Sequence, residues 1–189
     1  MDLSPLPITH PAHSLNRRDK RPIYLMIKPP APTQREIAHR RQMLGIESGY
    51  GPERFHITLL PIEDARFISP SRMELLLGLL ASFQAEPFEV GFIRLKGNAL
   101  RGGKALRALR RFQKSLAELL LAAGLDVSGY AFEPHLSLSY GNWQPRNIPV
   151  SPICWRVEEF KLIKSIHGQG RHEELGRWPL ISRQGSFVF

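Results

Sequence analysis

Two periods of apolar residues alternate along the chain. The run Pro22-Ile-Tyr-Leu-Met-Ile27 predicts a short buried strand, stopped by Pro29-Pro30-Ala31-Pro32. A helix is predicted from about Thr33, with Thr33 and Glu36 at capping-box spacing, and Gly45 and Gly49-Tyr50-Gly51-Pro52 close that unit. Residues 54–60 alternate as a strand does. Ser69-Pro70 then opens a helix whose Met73, Leu76, Leu77 and Leu80 share a face. Beyond Pro87, residues Phe88 to Leu95 predict a strand, Gly97-Asn98 a turn, and Ala99-Leu100-Arg101 a partner strand ended by Gly102-Gly103. The longest helix is predicted from about Lys104 to Ala123, with apolar positions Ala105, Leu106, Leu109, Phe112, Leu116, Leu119 and Leu120 and Gly124 as its stop. Residues 134–140 alternate again, Trp155 to Ile166 reads as one long strand, and a last strand is expected near Trp178–Ile181. Helices interleaved with turn-linked strands predict an α+β fold with mixed or antiparallel sheets, not a doubly wound one.

Composition narrows the partners. The 189 residues carry 26 Lys and Arg against 17 Asp and Glu, a net charge of +9 that favours a polyanionic or phosphate-bearing ligand. The single cysteine, Cys154, excludes an internal disulfide framework and a Cys-rich zinc site, and it points to a reducing, cytoplasmic setting. No apolar run reaches the roughly 20 residues of a membrane-spanning helix. Residues 1–21 hold Arg17, Arg18, Lys20 and Arg21 among three prolines, which predicts a flexible basic tail ahead of one domain over 22–189.

Two short segments carry the chemistry. His56-Ile57-Thr58-Leu59 and His135-Leu136-Ser137-Leu138 each place an imidazole and a hydroxyl two residues apart, hence on one face of a strand, with aliphatic residues on the other. One such tetrad is a weak signal, because so short a pattern arises by chance. Two of them, each in an alternating run, each after a helix and each continuing with Leu, are a stronger one. Cleaving a cyclic phosphodiester needs a base to activate water and an acid to protonate the departing oxygen. Two histidines fill both roles near neutral pH, and the hydroxyls suit non-bridging phosphate oxygens. The arrangement calls for no metal and no cofactor, and it leaves open which histidine is acid and which is base.

These paired motifs resemble the signatures of the 2H phosphoesterase superfamily, in particular the bacterial 2′-5′ RNA ligase or RNA 2′,3′-cyclic phosphodiesterase group. The resemblance spans roughly residues 22–182 and includes the opening strand Tyr24-Leu-Met-Ile27. It implies two pseudo-symmetric lobes of antiparallel sheet flanked by helices, with the motifs facing each other across a central cleft. It implies His56 and His135 as the acid/base pair and Thr58 and Ser137 as phosphate ligands. The substrate expected is RNA or a cyclic nucleotide, and the protein is expected to be a monomer.

Further contacts and rival readings come from the rest of the chain. Arg101 and Lys104 flank Gly102-Gly103 ahead of the long helix, where amides and cations together suit phosphate, although a hairpin with solvated charges is an equal reading. Tyr24, Phe132 and Tyr140 are candidates to stack on a base, with core packing as the plainer role. Arg54 is not assigned to the site. His167 and His172, five apart, offer a rival metal-dependent hydrolase. A second rival is a non-catalytic RNA-binding protein that uses the cleft and the basic charge for affinity.

Overall fold

The structure, a computed structural model, describes residues 20–49, 51–141, 145–166 and 171–182. The expected tail, apart from Lys20 and Arg21, lies outside these residues. The first strand, β1 (Pro22–Ile27), forms where the sequence predicts it. Helix α1 (Ala31–Met43) begins at Ala31 rather than Thr33. Proline fits the first turn of a helix, where its missing N–H has no partner to lose. Pro30 and Pro32 therefore start this helix instead of delaying it. Thr33 is buried in the first turn and no side chain caps the helix, so the capping box does not form.

A 3-10 turn (Pro52–Arg54) precedes β2 (Ile57–Asp64), which starts later and runs further than residues 54–60. Helix α2 (Pro70–Ser82) matches its prediction, and the Ser69 hydroxyl accepts the Arg72 amide at 3.3 Å. Ser69→Ala is expected to cost about 1 kcal/mol, read as a lower urea midpoint at unchanged slope.

Strands β3 (Phe88–Lys96) and β4 (Ala99–Arg101) form the predicted hairpin. A 3-10 turn (Gly103–Leu106) leads into α3 (Arg107–Ala122), and Gly124, at φ +77°, follows its end. Gly102 is a packing requirement, since a Cβ there would collide with the Gly91 carbonyl oxygen of β3. Of residues 134–140 only β5 (Leu136–Ser137) pairs, because its partner β4 is itself three residues long.

The long strand expected over 155–166 is two strands. β6 (Asn147–Val157) and β7 (Glu159–Ile166) part at Glu158 and belong to different sheets. The final strand, β8 (Arg171–Pro179), starts well before Trp178. It is polar, and it is held to β7 by ion pairs: Lys164 meets Glu173, and Lys161, only 9% exposed, meets Glu174, each at 3.0 Å.

Two four-stranded antiparallel sheets result, in the orders β2-β1-β7-β8 and β5-β4-β3-β6. The halves repeat one plan. A strand leads into a helix, and the chain returns antiparallel on the strand's outer side: β1, α1, β2 in one half and β4, α3, β5 in the other. Each motif strand is thereby an edge strand. The helices join both sheets in one apolar core, in which Phe160 meets Phe83, Phe112 and Trp178 at ring separations of 6.0, 5.5 and 5.4 Å. No helix among the described residues is long and apolar enough to cross a membrane.

Candidate active site

Both histidines sit immediately before their edge strands rather than within them, and the chain holds them in one pose. His56 Nδ1 lies 2.7 Å from the Arg54 carbonyl oxygen, and His135 Nδ1 lies 2.7 Å from the Glu133 carbonyl oxygen. A carbonyl only accepts, so each Nδ1 carries a hydrogen and donates it. Each ring is left with Nε2 as its reactive nitrogen, able to take a proton when neutral and to give one when charged. The two imidazoles are close enough for the charge of His135 to act on His56.

The hydroxyls follow the histidines in register. Thr58 lies opposite Met26 on β1, and Ser137 opposite Ala99 on β4, both half-buried. Ser137 also hydrogen-bonds the Tyr140 phenol, while 67% of Tyr140 remains exposed. The second motif is clamped by the β3–β4 turn. Leu138 N–H donates to the Asn98 carbonyl at 2.8 Å, and the Asn98 amide donates to the Gly141 carbonyl at 3.1 Å. Ser139, which alternation places with His135 and Ser137, is buried and accepts the Gly141 amide at 3.1 Å.

Electrostatics separate the two rings' surroundings. Burial pushes the His56 pKa down to about 4, and the charges of Lys28, Arg54 and His135 add to that push against the weaker pull of its bond to the Arg54 carbonyl. Lys28 Nζ donates to the Glu53 carbonyl at 2.9 Å, and burial lowers its pKa too. His56 is therefore neutral at neutral pH, with Nε2 unprotonated. A pocket of about 790 Å³ is lined by Arg54, Asn98, Ser139, Tyr140, Gly141 and Arg146. It joins the segment before β2 to the segment after β5. Arg146 braces it, with its guanidinium on the Leu44 carbonyl at 2.7 Å.

The remaining candidates distribute unevenly. Tyr24 is half-buried, and its pKa is raised by burial and by the neighbouring Tyr140 and Asp64. Arg101 pairs with Glu133 at 3.3 Å and lines a separate pocket of about 310 Å³ with Lys96, Arg110 and Pro134. Lys104 is exposed on the 3-10 turn. Phe132 packs near Tyr130 at 6.3 Å. His167 lies outside the described residues, and His172 packs against His56, with ring centroids 5.2 Å apart. No group of three metal-ligating side chains occurs among the described residues.

Arg54, not assigned to the site from the sequence, occupies a 3-10 turn, lines the pocket and acts on His56. Its separation from His56 by two residues is the signal that points to a shared side. Lys28 was also missed, and only its position just after β1 hints at it.

No protein-family model matches the sequence, and no curated protein matches it. Solved structures do. E. coli LigT in complex with 3′-AMP is 21% identical, with a TM-score of 0.69 over 87% of this chain and 100% of its own. A protein described as a phosphoesterase is 20% identical, with a TM-score of 0.69 over 86% of this chain and 99% of its own. The Thermus thermophilus protein TT0787 is 14% identical, with a TM-score of 0.65 over 84% of this chain and 97% of its own. At these identities the likeness is one of fold.

Proposed function

We propose that this chain is a 2H phosphoesterase that hydrolyses a 2′,3′-cyclic phosphate or a 2′-5′ linkage of RNA or a nucleotide, without a metal ion. One observation carries the reading: two His-x-hydroxyl segments on the edge strands of two sheets, each histidine held through Nδ1 by the carbonyl two residues before it. The fold shared with LigT and a phosphoesterase supports it.

The neutral state of His56 assigns it the base and leaves the acid to His135. His56, neutral, takes a proton from water through Nε2 as the water oxygen attacks phosphorus. The bond from phosphorus to one ribose oxygen breaks. His135, protonated, gives its Nε2 proton to that oxygen. Water is consumed and a phosphomonoester leaves, with the proton count restored by exchange between the two rings and solvent. An anionic phosphate between the rings raises the proton affinity of His56 as the reaction proceeds. Thr58 and Ser137 donate their hydroxyls to the non-bridging oxygens, where charge builds. Joining a 2′,3′-cyclic phosphate to a 5′-hydroxyl end is the same chemistry reversed.

Hydrolysis of 2′,3′-cyclic AMP by the purified protein in EDTA, with the product resolved by phosphorus NMR, tests the proposal. Formation of a 2′- or 3′-monophosphate is expected, and its position fixes which oxygen leaves. Salt-dependent RNA binding with no turnover of cyclic or 2′-5′-linked substrates favours the binding-protein alternative.

A further inference from the structure

A third imidazole, which the proposed reaction does not use, packs against His56. His172 stands on β8, opposite Ser165 of β7. Its ring meets that of His56 edge to face, at 5.2 Å between centroids and 74° between planes. Aromatic pairs favour this arrangement. Its Nδ1 is buried and has no hydrogen-bond partner among the described residues.

The surroundings of both rings are cationic. His56 is faced by Lys28 just beyond β1, Arg54 in the 3-10 turn, His135 before β5, and the ring of His172 on β8. His172 is faced by His56, Lys28 and Arg54. Burial and those neighbours push the His172 pKa down to about 3, so it stands beside His56 as a neutral ring. The bond from Nδ1 to the Arg54 carbonyl anchors one edge of the His56 ring. The His172 ring packs against it as a second restraint.

We infer that His172 is a positioning residue for His56: packed against the ring, it holds Nε2 in its working direction and keeps water from that side. The inference rests on the reading of His56 as the proton acceptor.

Imidazole titration of the full chain by nitrogen-15 NMR tests it without requiring turnover. His172→Ala admits water to His56 and is expected to raise the His56 pKa by about one unit or more. His172→Phe keeps the packing, and His56 is expected to titrate near its wild-type position. His172→Gln keeps length but not the ring, and gives the upward shift even if the alanine variant does not fold. In the kinetic assay His172→Ala is expected to lower kcat about tenfold, with less change in KM. An unmoved His56 titration in the alanine and glutamine variants overturns the inference. A moved titration in a protein that hydrolyses no cyclic or 2′-5′ phosphodiester overturns the functional reading and leaves the positioning role standing.

Discussion

His56→Ala and His135→Ala are each expected to lower kcat/KM for a 2′,3′-cyclic nucleotide by on the order of 10²–10⁴-fold, the usual worth of a positioned acid or base. Each ring handles a different proton of the same displacement, so neither can stand in for the other. The double variant is expected to fall little below the worse single one, because groups that serve one transition state are not additive. The fold should tolerate both changes. Each histidine lies ahead of its strand and bonds a carbonyl in its own segment, outside the aromatic core around Phe160. Circular dichroism and urea midpoints near the wild-type values would separate lost chemistry from lost structure. Full turnover in either variant would remove the two-histidine mechanism, whatever the fold.

Much of this site is local, and local features are legible in a sequence. The two tetrads, the Ser69 cap and the Gly97-Asn98 turn each depend on residues a few positions apart, and the structure has the turn and the cap where the pattern puts them, with the two motif strands shifted or shortened. The split of the long strand was legible too. Buried apolar residues fall on odd positions at Ile153, Trp155 and Val157, and the next, Phe160, is out of step with them, opening a run buried on both faces through Ile163. A strand that changes face must bend or change sheet, and the shift falls at Glu158.

What could not be read depends on topology or on charge. β8 has no apolar alternation, since Arg171, His172, Glu173 and Glu174 lead it and ion pairs hold it to β7. His172 and Lys28 come from segments distant from His56, and only the pairing of β2, β1, β7 and β8 into one sheet brings them to the same imidazole. Spacing within the chain carries no record of that meeting. The charge that sets His56 apart is thus a property of the assembled sheet, and it has a thermodynamic consequence.

Acid is expected to destabilise this protein in a window set by His56. Unfolded, its imidazole titrates at 6.5; folded, at about 4. Between those values the unfolded chain binds a proton that the folded one refuses, so falling pH favours unfolding. The stabilisation is complete above pH 6.5, is lost as pH falls through the window, and is mostly gone by pH 4. Its size is about 3 kcal/mol, from roughly 1.4 kcal/mol per pKa unit. His172 shifts in the same direction and adds to the slope, though its greater contact with solvent makes its share smaller. Asp64, held below the ordinary carboxylate range by Arg66, contributes a loss that begins only at lower pH. His56→Asn isolates the main contribution, because asparagine does not titrate. Urea unfolding at pH 7.5 and pH 4 is therefore expected to show the variant losing about 3 kcal/mol less than the wild type between the two. Parallel losses in the two proteins would mean that His56 is not held neutral by its surroundings, and the assignment of His56 as the proton acceptor would lose its electrostatic support.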